Sequence, residues 1–233
     1  YGRATGGVVN VVTKSGSNEF KGSVFGYYQP GFLPASSHPT PQNATSLDVT
    51  GNVGYDADFG FELGGPIIKD KMWFFVGFAP AFSQVDYTRY TKSQTDCHAV
   101  NPDGTLSTCD KSHADGIPDI DPKTGFYITD LLDTEVRSAT GHTYNAIGKI
   151  NYAVTPEHQG QLSVQAQPSS GRSPGLFGPA VNGYQYDDLT TDVSGKWTSK
   201  FNDNKTEVEA VVGWHRDHVT TDALDASLEN VPL

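Results

Sequence analysis

The chain is 233 residues long, carries a formal net charge of −11 with a pI near 4.9, and is 36% hydrophobic. That acidity excludes the basic face with which proteins displace counterions from phosphate, so no nucleic-acid partner is expected and lipid phosphates are repelled except locally. No run approaches the roughly 20 apolar residues of a membrane-crossing helix, whereas Met72 to Phe82 matches the roughly 9–11 residues of a crossing strand.

Length alone permits one large β domain or two smaller ones. The chain opens at Tyr1 without an initiator Met or signal peptide and closes at Leu233 in polar sequence, which reads as a portion of something larger. Residues 1–19 form a glycine-rich opening block, Tyr1-Gly2-Arg3-Ala4-Thr5-Gly6-Gly7-Val8-Val9-Asn10-Val11-Val12-Thr13-Lys14-Ser15-Gly16, followed by a polar exit. Val8 to Val12 reads as a buried strand, and the pair Gly6-Gly7 allows unusual backbone angles or close packing just before it.

From Phe20 onward the chain reads as strands. Phe20 to Tyr28 sets Phe20, Val24 and Tyr28 on one side but Phe25 and Tyr27 on the other. Tyr55 to Gly65 alternates cleanly, with Ala57, Phe59, Phe61 and Leu63 against Asp56, Asp58, Gly60, Glu62 and Gly64, because successive strand residues face opposite ways. Met72 to Phe82 is apolar on both faces, so something apolar must cover its inner side. Tyr144 to Val154 returns to alternation with Ile147 as its exception. In Gln161 to Gln167 the residues Leu162, Val164 and Ala166 oppose Gln161, Ser163, Gln165 and Gln167, a face with no apolar residue. Thr191 to Phe201 and Val208 to His215 complete the pattern. Aromatic residues gather at strand ends: Trp73, Trp197 and Phe201 near one rim, Tyr28, Tyr55 and Trp214 toward the other, as membrane-interface girdles would.

Connections between these strands alternate strictly. Ile67 to Lys71, Thr155 to Gln159 and Asn202 to Lys205 are tight, whereas Gln29 to Gly54, Ser83 to Thr140 and Pro168 to Tyr186 are long and polar. Such asymmetry marks an all-β, antiparallel transmembrane β-barrel, with short periplasmic turns and long extracellular loops. Residues 20–233 then supply about seven strands, an odd number that leaves the wall unfinished. Their greasy side faces lipid, and Asp58, Glu62, Lys149, Gln165 and Glu209 become lumen-lining candidates.

The opening block resembles the end of the plug domain in TonB-dependent outer-membrane receptors, carried by Gly6, Gly7, Asn10, Thr13 and Lys14. Its continuation Ser17-Asn18-Glu19-Phe20-Lys21-Gly22-Ser23, with Gly64-Gly65-Pro66-Ile67-Ile68-Lys69-Asp70-Lys71 and Trp73-Phe74-Phe75, resembles their Oar-like branch. The resemblance implies a wall of about 22 strands closed by an N-terminal plug. It implies residence in the outer membrane of a Gram-negative bacterium, a TonB-type energy-coupling complex reached through other parts of the protein, and an extracellular ligand captured by the outer loops. Residues 1–19 would be the last piece of the plug and its linker.

Ser83 to Thr140 holds the chain's two cysteines, Cys97 and Cys109. In the oxidising route to the cell surface a local disulfide is expected, worth about 3 kcal/mol on the chain-entropy model. His98 and His113 make zinc conceivable, but the cysteine spacing matches no standard zinc pattern. Beyond lies Asp115-Gly116-Ile117-Pro118-Asp119-Ile120-Asp121, which resembles calcium-rich repeats. A solvated acidic turn is the preferred reading, and if calcium is the cofactor its ligands are Asp115, Asp119 and Asp121.

Catalytic readings fail. Gly171-Arg172-Ser173-Pro174-Gly175 has the form of a hydrolase elbow, but Pro174, Gly175 and Pro179 forbid the helix that such an elbow needs. His215 and His218 fall on opposite faces of a strand, so no enzyme is expected. The leading expectation is a receptor that passes a ligand through a plugged barrel. Its alternatives are a surface adhesion or assembly protein using the disulfide-pinned loop, and a soluble secreted β-sandwich.

Overall fold

The computed structural model describes residues 13–35, 46–178 and 182–228. Gly6, Gly7, Asn10 and the strand expected at Val8 to Val12 lie outside these residues. The described chain is one antiparallel sheet in which each of the first seven strands pairs with the next and the eighth pairs with the sixth. Its strands are β1 (Lys21–Pro30), β2 (Leu47–Ile68), β3 (Met72–Gln94), β4 (Thr129–Ala153), β5 (His158–Ser173), β6 (Tyr184–Phe201), β7 (Thr206–Arg216) and β8 (Val219–Ala223). Both β7 and β8 pair with β6, and Leu189 and His218 exchange backbone hydrogen bonds of 3.0 and 3.3 Å between them. β8 therefore continues the β7 edge past a break at Asp217-His218. No described helix is long and apolar enough to cross a membrane.

The tight turns work because they use residues that tolerate the left-handed region. Asp70 sits at φ 62, and Asn202, Asp203 and Asn204 at φ 54, 53 and 65. Short Asn and Asp side chains adopt this geometry more readily than any other non-glycine type. The turns are closed by Lys71 N–H to Ile68 O and Lys205 N–H to Asn202 O, both 3.1 Å.

Register sorts side chains onto two faces. One row runs Leu63, Val76, Gly148, Val164, Val193, Trp214, and the next runs Gly65, Phe74, Ile150, Leu162, Gly195, Val212. This face is apolar and uncovered: Leu162 is 51%, Val208 54% and Val212 72% exposed. In water such a surface would be untenable, because apolar area left wet forfeits about 25 cal/mol per Å². Two aromatic rings blanket its glycines. A Cβ on Gly160 would meet the Trp197 ring at 2.9 Å, and one on Gly65 the Phe20 ring at 2.3 Å. Higher on this face, Phe78 and Phe82 pack against Tyr144, with centroids 6.4 and 5.8 Å apart.

The opposite face is polar. Its rows run Glu62, Gly77, Ile147, Gln165, Asp192, His215 and Gly64, Phe75, Lys149, Ser163, Ser194, Gly213. Ile147, the alternation's exception, belongs here, with its Cγ2 3.1 Å from where a Cβ on Gly77 would stand. The buried side chains Phe75, Lys149 and Ser163 all sit on this face.

Three readings need adjustment. The long loops are shorter than expected, because β2, β3 and β4 run to 22, 23 and 25 residues and leave only residues 95–128 between β3 and β4. Their far halves lack a greasy side, so periodicity could not reveal them. Trp73 points to the polar face rather than into an interface girdle, since it pairs with Pro66 and Asn151. An eighth strand, β8, follows the about seven expected.

Candidate functional site

Residues 13–18 cross the polar face as an extended strap before turning into β1. Lys149 is only 4% exposed, yet its ammonium is satisfied. It donates to Thr13 O at 3.0 Å, to Ser15 Oγ at 3.4 Å and to Thr13 Oγ1. Neighbouring Lys14 pairs with Glu62 at 2.5 Å, and Ser23 Oγ donates to the same Glu62 oxygen at 3.0 Å. Gly16 presses onto the wall so closely that a Cβ there would lie 2.2 Å from Phe74 O, inside any contact distance, so only glycine fits.

Where the strap reaches the short-turn rim, Asn18 grips the β2–β3 turn. Its Oδ1 accepts from Asp70 N–H at 2.9 Å and Trp73 Nε1–H at 2.7 Å, and its Nδ2 donates to Asp70 Oδ1 at 2.5 Å. Phe20 then packs 6.3 Å from Phe74 on the apolar face as β1 begins. Phe75, apolar on a polar face, is 8% exposed and lines one recess together with residues 14–17. The strap is polar, so it does not supply the apolar cover expected over the inner side of β3. Phe25 and Tyr27 remain 40% and 70% exposed.

The structure places Asp58, Glu62, Lys149, Gln165 and Glu209 together on the polar face. A recess of about 370 Å³ lies on the wall itself, lined by Phe25, Glu62, Phe75, Ile147, Gln165 and Asp192 among others. Further along, polar side chains pair across neighbouring strands, while Asp188 Oδ1 on β6 is buried without a partner among the described residues. Lys196 meets Glu209 at 2.5 Å, Lys200 meets Glu207 at 3.6 Å, His215 Nδ1 meets Asp192 at 2.7 Å, and Gln167 donates to Asn145 at 2.6 Å.

A second polar cluster, which periodicity did not reveal, stands at the far end of the same face. Arg137 Nη2 and Arg89 Nη1 each reach Glu135 Oε2 at 2.7 Å. Arg89 Nε also donates to Leu176 O at 2.6 Å, and Arg137 Nη1 to Gly178 O at 3.0 Å and to Gly175 O. Two guanidiniums therefore hold residues 175–178, the loop after β5, against β3 and β4. The hydrolase-like Gly171 to Gly175 stretch ends β5 and enters this loop without a helix.

In residues 95–128 the Cys97–Cys109 disulfide is formed, with Cα atoms 4.8 Å apart. Asp119 ties the acidic arm to it by accepting from the amides of Cys97 at 2.8 Å and His98 at 2.9 Å. Burial disfavours the Asp119 carboxylate, but those amides and the Thr95 hydroxyl outweigh it and hold its pKa below the ordinary value. Asp121 accepts from Lys123 N–H and Thr124 Oγ1–H, and Asp115 from Ile117 N–H. Asp115 and Asp121 serve their own turns and Asp119 reaches across to Cys97 and His98, so among the described residues the three do not converge into one ligand set. Cys97, His98 and Cys109 do lie within 4.8 Å of one another, but both sulfurs are bonded to each other.

Comparison with known proteins follows this geometry. Residues 12–203 match a family model described as an outer membrane beta barrel domain. The chain is also 32% identical over 241 residues to the TonB-dependent transporter Oar of Myxococcus xanthus, an alignment covering 95% of this chain and 21% of that protein. The chain thus spans about a fifth of the length of that curated relative. No solved structure matches. The lipid-ready apolar face, the short-turn and long-loop asymmetry and these two matches agree: the chain belongs to the outer membrane beta barrel domain family, as a transporter-like wall of the Oar-like, TonB-dependent receptor type resident in the outer membrane.

Proposed function

We propose that the protein captures a ligand at the cell surface and passes it through a plugged barrel, driven by a TonB-type complex that engages parts of the protein outside this chain. The observation that carries this reading is the seating of residues 13–17 on the polar face, with Lys149 and Glu62 as their receptors. A strap so placed is what the end of a plug would look like where it meets the lumen wall. Asp58, Glu62, Lys149, Gln165 and Glu209 then line a wet interior, and the opposite face meets lipid.

One observation favours adhesion or assembly as the second reading. The disulfide-pinned, internally hydrogen-bonded loop at residues 95–128 is ordered enough to serve as a contact surface. The secreted sandwich is excluded, because the described sheet is a single layer whose apolar face meets no second sheet.

The test compares cells with and without the full-length protein for solutes depleted from the growth medium, measured by mass spectrometry. Depletion of a solute that stops with a protonophore or on deletion of the TonB contact supports transport. Protein-dependent change in cell adherence with no solute depleted overturns it in favour of adhesion.

A further inference from the structure

β4 runs well past one of its neighbours. Its last pair with β5 joins Thr140 to Arg172, whereas its pairing with β3 continues to Thr129. A barrel strand has two neighbours, and those of β4 are β3 and β5, so no further wall strand can take the place that β5 leaves beside residues 129–139. The Ala153 N–H donates to Lys71 O on the β3 side, and the β3–β4 register is unbroken from Tyr152 to Asp133. Successive residues of a strand send their backbone groups to opposite edges. The N–H and C=O groups of Thr134, Val136 and Ser138 therefore point to the open edge, and among the described residues they pair with no backbone group.

Apolar side chains flank this edge: Leu131, Leu132 and Val136 are 59%, 63% and 62% exposed. Residues 133–139 contain neither the Lys nor the Pro that blunts many free edges, and the 175–178 loop crosses the inner face to Arg89 without a backbone bond to β4. Charge selects the occupant. The cations in the far halves of β3 and β4 are engaged, Arg89 and Arg137 by Glu135 and Lys92 by Asp48, and none of them meets Asp130 or Asp133. The adjoining residues 95–128 hold six Asp against two Lys. A second copy of this edge would set carboxylates against carboxylates, and like charges opposed across strands are destabilising. A cationic strand would meet them with the opposite sign.

We propose that residues 133–139 of β4 form a docking edge on which a cationic, extended segment of another protein pairs as an added strand, its backbone on Thr134, Val136 and Ser138 and its basic side chains toward Asp130 and Asp133. Such an edge operates whether the protein transports or adheres.

The experiment mixes the full-length receptor in detergent micelles, disulfide intact, with a short peptide of alternating lysine and valine. Hydrogen exchange of the Thr134, Val136 and Ser138 amides should slow by at least about tenfold at saturation, while Glu135 and Arg137, already bonded to β3, stay within about twofold. An alternating glutamate and valine peptide should bind at least about tenfold more weakly, and so should the N-methylated lysine peptide, which keeps the charge and loses the backbone donors. Asp130→Asn with Asp133→Asn should weaken the lysine peptide by about tenfold without changing exchange elsewhere in β4. Equal binding by the N-methylated or the glutamate peptide would overturn the inference. Slow exchange of Thr134, Val136 and Ser138 before any peptide is added would also overturn it, showing the edge covered by the protein itself or by a second copy. Solute depletion by cells is measured separately, so either result leaves the transport reading standing.

Discussion

Replacing Asn18 with Ala removes three hydrogen bonds at once: acceptance from the Asp70 amide and Trp73 indole at 2.9 and 2.7 Å, and donation to Asp70 Oδ1 at 2.5 Å. A hydrogen bond contributes a net of about 0.5–1.5 kcal/mol. Because Asn18 is exposed and water competes there, values toward the low end apply, and the sum is about 2 kcal/mol. At about 1.4 kcal/mol per factor of ten, local opening of the strap at the rim should rise about 30-fold. The readout is deuterium labelling of the Asp70 amide in the folded protein in detergent, compared with and without Asn18→Ala, together with a red shift of Trp73 emission. Asn18→Asp is the informative companion: it keeps the acceptors for Asp70 N–H and Trp73 but sets a carboxylate against Asp70, so it should open the strap as well. Labelling within twofold of the parent in both variants would refute the claim that this carboxamide anchors the strap.

Other outcomes follow from the same geometry. Cys97→Ser with Cys109→Ser should raise trypsin cleavage at Lys111 by at least about tenfold, within the ceiling of about 3 kcal/mol set by loop closure, and reductant should do the same to the parent; unchanged cleavage would show that Asp119 and its amides order the loop alone. Arg137→Met removes two of the four guanidinium bonds to the 175–178 loop and leaves Glu135 with one guanidinium, so chymotrypsin cleavage at the exposed Phe177 should rise by about tenfold, whereas Lys200→Met should leave it unchanged. The Ser112 amide holds the Asp110 carboxyl below the usual range, and the Lys123 amide does so for Asp121. With folded values below unfolded ones, their contribution is complete above the ordinary carboxylate pKa of about 3.9 and is lost as pH falls through the lower, folded value. Hydrogen-exchange protection of the Ser112 and Lys123 amides should therefore hold from pH 7 to about 5 and be lost only below the ordinary carboxylate value of about 3.9.

How far this molecule can be read from its residues depends on what each residue faces. Tyr55 to Gly65 and Gln161 to Gln167 announce strand, face and register because lipid lies on one side and polar surroundings on the other, which forces strict alternation. Tight turns are equally plain, since only Asn and Asp tolerate the angles found at Asp70 and Asn202 to Asn204. Beyond the membrane both faces are wet, so Ser83 to Gln94 and Thr129 to Thr140 carry no such imprint and read as loop, and Arg89, Glu135 and Arg137 are hidden with them. Asn18 stands out only as part of the family-like block, since nothing about one Asn foretells that it will meet a turn 52 residues away. The cysteine pair is legible from its compartment and spacing, whereas the backbone amides that Asp115, Asp119 and Asp121 accept from are not, because nothing in the sequence marks them.

The length of β2, β3 and β4 has a consequence for what the cell presents to its surroundings. At about 3.3 Å per residue, the 25 residues of β4 extend about 80 Å, and even with a barrel strand's tilt of roughly 40° they rise well past an apolar band of about 25 Å. A three-stranded tower thus stands clear of the bilayer and lifts the Cys97–Cys109 crown above it, within reach of an antibody, a phage or a neighbouring cell.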